Sequence, residues 1–269
     1  MPELPEVETV RRSLAPALVG RTIAAVSVRE PRLRSRLARN FAARLAGRRI
    51  DDLARHGKYL LASLDDGRVW LVHLGMTGRL TLEPAGRPME EHDHVRLTLD
   101  DGRLLTYHDP RRFGRMDVIE AAALAREAGA GVDALSPAFT AGVLFGLTRR
   151  RRTSIKALLM DQRRVAGLGN IYVNEILFRA GIRPRRRAGG LTRLHCERLI
   201  EASRTVLGEA IRTGGSSISD YVDGLGRSGW FQLEHAVYDR AGAPCRRCTT
   251  PIRHCVVVGR STYYCPACQ

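Results

Sequence analysis

The stretch CRRCTTPIRHCVVVGRSTYYCPAC, residues 245–268, holds five of the chain's six cysteines, and four of them form two C-x2-C pairs separated by sixteen residues. Two thiolates from each pair suit a tetrahedral metal site, so the spacing predicts Cys245, Cys248, Cys265 and Cys268 as ligands of one structural zinc ion. Between the pairs, HCVVVGRSTYY alternates strand-forming residues around Gly259 and reads as a β-hairpin. The segment is a zinc ribbon on this reading. Two disulfides are the competing reading, and they do not suit a reducing compartment. Such a ribbon is structural and names no chemistry. Cys196 and Cys255 fall outside the pattern and read as ordinary buried or half-buried thiols.

Working back from the ribbon, Gly214, Gly215, Ser216 and Ser217 open a flexible stretch that runs to about Gly229. From Pro137 to Thr213 the apolar period is helical, broken at Gly167–Gly169 and Gly181–Pro184. Within it, SIKALLMDQ and IYVNEILFRAG read as two helices joined by a tight Gly-rich turn. From Arg21 to about Tyr107 the pattern changes to short alternating runs, TIAAVSV, YLLASL, VWLVHL, HVRLTL and RLLTYH. Asp65-Asp66-Gly67 and Asp100-Asp101-Gly102 lie between pairs of these runs, which is hairpin chemistry. The chain opens on a helix: Leu4, Val7, Val10 or Leu14, and Leu18 fall near one face, and Gly20 is placed to end it. The whole reads as α+β.

The 269 residues carry 44 Lys plus Arg against 28 Asp plus Glu, a net charge of +16, which makes a polyanion the first partner to consider. Of the 44 basic residues, 42 are arginine; only Lys58 and Lys156 are lysine. A solvated positive face is indifferent to which residue supplies its charge. Two lysines in an arginine-saturated chain therefore point to places where a compact, titratable ammonium is wanted. No apolar run approaches the ~20 residues of a membrane span. The opening MPELPEVETV carries Glu3, Glu6 and Glu8 where a secretory leader would be basic and then apolar, so a cytoplasmic protein is expected. Removal of Met1 would leave Pro2 with a free secondary amine. At an α-amino pKa near about 7.7–8.0, such an amine is partly unprotonated and nucleophilic at neutral pH. Taken alone, Pro2 and Pro5 equally well just start the helix.

The motifs combine further. MPELPEVETVRR at 1–12, HGKYL at 56–60, HLGMTG at 73–78, DPRRFG at 109–114, SIKALLMDQ at 154–162, GLGNIYVNEILF at 167–178 and GRSTYYC at 259–265 occur together in this order. This set resembles the bacterial formamidopyrimidine-DNA glycosylase family, which excises oxidised purines, and the resemblance extends from residue 2 to residue 268. It implies an N-terminal antiparallel β-sandwich with a leading helix (1–130), a helix–two-turn–helix DNA-binding domain with a lesion-capping loop (131–229), and the zinc ribbon (236–269). Pro2 matches the family nucleophile, which forms a Schiff base at C1′. Glu3 matches the acid that opens the deoxyribose ring, and Glu6 supports it by positioning water or the amine. Lys58 matches the residue that transfers a proton in β-elimination, and Arg260 the one that holds the lesion phosphates and assists δ-elimination.

The same resemblance assigns DNA contacts. His73, His92 and Arg151 match positions on the DNA backbone, and Asn170, at the end of the GLGN turn, matches a phosphate contact at a helix N-terminus. Met76, Arg111 and Phe113 match a trio that fills the gap left by the extruded base, which must leave the stack before its C1′ can be attacked. Lys156 is either a phosphate contact or an internal ion-pair partner. The activity implied is a bifunctional glycosylase and abasic-site lyase acting on double-stranded DNA with oxidised bases. It would work as a monomer, without a nucleotide or redox cofactor and away from membranes. Three other readings stand beside it: an endonuclease VIII-type enzyme for oxidised pyrimidines, a catalytically silent binder of damaged DNA, and a purely structural zinc-ribbon protein. Joint presence of Pro2, Glu3, Lys58 and Arg260 argues against the last two.

Overall fold

The computed structural model describes residues 2–217 and 221–269; Met1 and the centre of the expected capping loop, 218–220, lie outside the described residues. The chain forms two compact units. The first runs to Ala128 and takes in Thr213–Trp230; the second comprises Gly129–Arg212 and Phe231–Gln269.

In the first unit, Leu4–Leu18 (α1) buries Leu4, Val7, Val10, Leu14 and Leu18 along one stripe, as their spacing predicts. Pro5 sits in the first turn, where no N–H is needed. Then follow Ile23–Val28 (β1), Phe41–Leu45 (α2), Ile50–His56 (β2), Tyr59–Leu64 (β3), Arg68–His73 (β4), Arg79–Glu83 (β5), Asp93–Leu99 (β6), Leu104–His108 (β7), Arg115–Glu120 (β8) and Leu124–Ala128 (α3). They build two four-stranded antiparallel sheets, β1-β6-β7-β5 and β2-β3-β4-β8. Alternate residues of both sheets, Leu60, Trp70 and Val72 from one and Val95, Leu97 and Leu105 from the other, share a core with α1. The opposite face of the second sheet is apolar too: Leu61, Val69, Leu71 and Ile119 pack with Ala128 of α3. This is the expected sandwich with its leading helix.

Thr213–Trp230 returns to the first unit through specific bonds. Ser216 N–H donates to Glu6 Oε1 at 2.8 Å, Tyr221 Oη to the Glu6 carbonyl at 3.1 Å, and Gly224 N–H to Ser13 Oγ at 2.9 Å. Sequence composition suggests a flexible stretch here. Its described ends are instead hydrogen-bonded to α1.

The second unit contains Val132–Asp133 (β9), Ala141–Thr148 (α4), Ile155–Met160 (α5), Val165–Ala166 (β10), Asn170–Arg179 (α6), Arg193–Arg212 (α7), Arg253–Val257 (β11) and Arg260–Tyr264 (β12). Helix α7 packs its apolar stripe, Cys196, Leu199, Val206 and Leu207 among it, on α4 and α6. The link between α5 and α6 is longer than the single tight turn expected. Val165–Ala166 pairs in parallel with β9, which divides residues 161–169 into two turns. Gln162 latches them, donating to the Leu168 carbonyl at 2.6 Å and accepting Gly167 N–H at 2.9 Å. Strands β11 and β12 form the antiparallel hairpin expected from the alternation around Gly259. No helix among the described residues is long and apolar enough to cross a membrane.

Candidate functional site

Pro2, Glu3 and Glu6 lie together at the buried start of α1. Glu6 Oε2 accepts the Glu3 N–H at 2.8 Å, while its other oxygen holds Ser216 N–H. One carboxylate thus fixes the backbone next to Pro2 and the entry of Thr213–Trp230. Sequence reading gave Glu6 a role toward water or the amine; its bonds to the backbone at Ser216 join residues 210 apart and had no sequence signal. Glu8 is a buried clamp. Against the pull of burial, hydrogen bonds from Arg11 and Arg12 and the charges of Arg11 and Arg55 hold its carboxyl down at about 2. Its bond to Arg55 Nε, 3.2 Å, ties α1 to β2.

That strand leads to the two-residue turn Gly57–Lys58, and Lys58 is 6% exposed. Beyond the turn, Tyr59 pairs with His73 across β3 and β4, with ring centroids 4.8 Å apart. His73 Nδ1 accepts the Gly75 N–H at 3.0 Å, which leaves Nε2 as the N–H donor of a neutral ring. Burial, then the nearby charges of Lys58, Arg34 and Arg115, push His73 down to about 4. A neutral donor is therefore what His73 offers at physiological pH. The shift has a stability consequence. Between 6.5 and about 4 the unfolded chain binds a proton that the folded one does not, so stability falls as pH drops through that window. The loss from pH 7 to pH 5 amounts to about 2 kcal/mol from this group. His73→Gln should narrow the difference in melting temperature between those two pH values; an unchanged difference would count against a buried neutral imidazole.

Met76 and Phe113, 39% and 42% exposed, stand on two loops that are clamped together. Asp109, fully buried, accepts Thr77 Oγ1 at 2.6 Å from the first loop, and Gly114 N–H at 2.9 Å and Tyr107 Oη at 2.9 Å from the second and its strand. A Cβ on Gly75 would stand 2.5 Å from Gly114 N and 2.5 Å from Phe113 C, so only glycine lets the loops approach this closely. Arg111 stacks on Phe113, guanidinium carbon to ring centroid 4.6 Å. The carbonyl of His92, a residue at φ +70°, accepts Asp109 N–H at 3.0 Å. Met76, Arg111, Phe113 and His92 are thus one assembly organised by Asp109, a residue that sequence reading passed over. Large apolar side chains held at the surface by a buried carboxylate are built to meet something.

The second unit holds Arg151, Asn170, Lys156, Arg260 and the four cysteines. Arg151 is exposed, with no carboxylate partner among the described residues, and its carbonyl accepts Gly189 N–H at 3.0 Å. Asn170 opens α6, and its Oδ1 is buried without accepting a hydrogen bond. Lys156 is internal: 1% exposed, it donates to Thr262 Oγ1 at 2.7 Å and the Ser261 carbonyl at 2.9 Å. Asn174 Oδ1 of α6 lies 3.5 Å from the same nitrogen, so the ammonium is held between α6 and the hairpin strand. Glu175 secures the approach to the ribbon by accepting the N–H groups of Ala236, Val237 and Tyr238 at 2.9, 3.0 and 2.8 Å. Arg260 is exposed at the start of β12.

The four cysteine sulfurs lie within 4.8 Å of one another, with Sγ separations of 3.4, 3.5 and 3.9 Å among three of the pairs. Tetrahedral zinc with Zn–S near 2.3 Å requires sulfurs about 3.8 Å apart. The cluster fits a metal ion of that kind.

Comparison with known proteins extends these observations. The profile of the formamidopyrimidine-DNA glycosylase N-terminal domain matches residues 1–116, and that of the H2TH domain of the same enzymes matches residues 130–222. A protein from Thiobacillus denitrificans named formamidopyrimidine-DNA glycosylase is 51% identical over the full length of both chains. Among solved structures, the MutM (Fpg) protein from Thermus thermophilus is similar with a TM-score of 0.87 and 43% identity, covering 100% of this chain and 98% of that one. The Lactococcus lactis enzyme, solved in complex with DNA containing Fapy-dG, is similar with a TM-score of 0.89 and 34% identity over 99% of each chain.

Proposed function

The chain belongs to the formamidopyrimidine-DNA glycosylase family, and from that premise we propose that it is a bifunctional glycosylase and abasic-site lyase that removes oxidised purines, 8-oxoguanine and formamidopyrimidines, during base excision repair. The observation that carries the reading is the buried start of α1, where Pro2 precedes two carboxylates, one of which grips the neighbouring backbone at 2.8 Å. Once Met1 is removed, the Pro2 amine directly adjoins that fixed backbone, which limits the orientations it can take and favours attack. The Pro2 nitrogen attacks C1′, the glycosidic bond breaks, and the base leaves with a proton. Glu3 supplies the proton that opens the sugar ring, giving an iminium at C1′. Loss of a C2′ proton then expels the 3′ phosphate, with Lys58 in proton transfer. A second elimination expels the 5′ phosphate, with Arg260 on the phosphates.

His73, as a neutral donor, His92, Arg151 and Asn170 contact the DNA backbone. Met76, Arg111 and Phe113 fill the gap once the base is out, and the loop of residues 216–229 closes over it. By task, residues 1–130 carry the chemistry, 131–229 grip DNA and cap the lesion, and 236–269 form the ribbon, with Cys245, Cys248, Cys265 and Cys268 holding one zinc ion. The enzyme acts as a monomer where chromosomal DNA lies, in the cytoplasm. The purine reading is supported by the Lactococcus lactis relative, whose structure was solved with Fapy-dG containing DNA.

Borohydride trapping on a duplex with 8-oxoguanine opposite cytosine, followed by mass mapping, tests this. The expected adduct lies on Pro2. An adduct formed only with an oxidised pyrimidine would move the enzyme to endonuclease VIII chemistry, and none with either lesion would leave a binder without chemistry.

A further inference from the structure

The hairpin that carries Arg260 has a tip at odds with its own sequence. Val257 pairs with Arg260, so Val258 and Gly259 are the two central residues of the turn. Both sit at positive φ, +50° and +67°. That is the pattern of a type I′ turn, in which Asn-Gly or Gly-Gly is the usual content. Gly259 adopts it freely, whereas the branched Cβ of Val258 crowds its own backbone there. The register offers no escape. Thr262 is fully buried against Lys156, and a one-residue slip would turn it out to solvent.

Packing does not account for the valine. Val258 is 73% exposed, and Val256, two residues earlier, is 56% exposed. An unfavourable backbone conformation that brings no burial is a feature the fold does not explain. Its surroundings are cationic. Arg253 and Arg260 are exposed along the hairpin, and Arg185 donates to the Val256 carbonyl at 3.2 Å. No carboxylate pairs with Arg253 or Arg260 among the described residues. Positive charge of this kind is complementary to phosphate, and the apolar surface bordering phosphates on DNA is the deoxyribose.

We propose that Val258 is a DNA-contact residue whose methyl groups pack on deoxyribose of the lesion-bearing duplex, beside the phosphates assigned to Arg260. The proposal rests on the DNA-glycosylase reading above and adds an apolar contact to an otherwise electrostatic hairpin. Apolar contact releases no counterions, so its loss leaves the salt dependence of binding unchanged. The test uses the full-length, metal-loaded protein and a duplex with an uncleavable abasic analogue. Val258→Asn and Val258→Gly both suit positive φ and remove the methyls. Each should raise the melting temperature by a few degrees and weaken DNA binding roughly three- to tenfold, with an unaltered slope of log K against log salt. Arg260→Ala is the control and should flatten that slope by about one. Wild-type affinity in both variants would overturn the proposal. So would a flattened slope, which would make the turn a mount for Arg260, or a lowered melting temperature, which would make Val258 a packing residue. If the wild type shows no preference for the abasic duplex over intact DNA, the glycosylase reading itself fails.

Discussion

Keeping Met1 on the chain should abolish covalent capture of damaged DNA and base excision while leaving DNA affinity nearly unchanged. The reason is electronic. With Met1 attached, the Pro2 nitrogen is an amide whose lone pair is delocalised into the carbonyl, and it can no longer attack C1′. With Met1 gone, a secondary amine of pKa near about 7.7–8.0 is unprotonated in roughly one molecule in seven at pH 7, enough to serve as a nucleophile. Pro2→Gly is a milder lesion. It retains an amine but loses the ring that fixes the nitrogen, so excision should fall by about a hundredfold or more without vanishing. Affinity for an uncleavable abasic duplex should persist in both proteins, because the loops of Met76 and Phe113 and the arginine-rich surfaces are untouched. An adduct forming at wild-type rate with Met1 in place would remove Pro2 from the mechanism, and loss of binding instead would recast the N-terminus as a docking element.

Which parts of this arrangement could be read from sequence follows from how far apart the interacting residues lie. The ribbon is legible because its clustered cysteines come as two C-x2-C pairs with a hairpin between them, and α1 because Leu4, Val7, Leu14 and Leu18 repeat at helical spacing. The exposed trio Met76, Arg111 and Phe113 is marked by its motifs, but the residue that places it is not. Asp109 acts through Thr77, 32 residues away, and through a glycine that lets two loops touch. Glycine-rich composition likewise suggested flexibility at Thr213–Trp230, yet Glu6 and Ser13 of α1 hold it by bonds that span more than 200 residues. Lys156 shows the limit of composition. Its rarity singles it out but does not say what it does: its ammonium donates to Thr262 and Ser261 and approaches Asn174 inside the fold.

That buried lysine makes removal of the metal reach further than the ribbon. A structural zinc ion supplies roughly 10–16 kcal/mol of binding free energy in small zinc modules, and here it would hold the two ends of the segment that carries β11 and β12. Cys248→Ser, or a strong chelator, should release one zinc per chain to a chromogenic indicator and disorder residues 245–268. Lys156, 1% exposed, then loses its oxygen partners at 2.7 and 2.9 Å. A buried ammonium stripped of its two shortest hydrogen bonds is destabilised, so α5 should loosen as well, visible as faster amide exchange over Ile155–Met160. DNA affinity should drop at least about tenfold with a shallower salt dependence, because Arg260 is no longer presented. Cys255→Ser, on the same hairpin but outside the cluster, should change none of these. If zinc is stripped and both affinity and its salt slope stay at their starting values, the ribbon is a passive appendage and Arg260 has no place in the chemistry. If affinity falls while exchange over α5 is unaffected, the coupling through Lys156 is absent and the metal stabilises the hairpin alone.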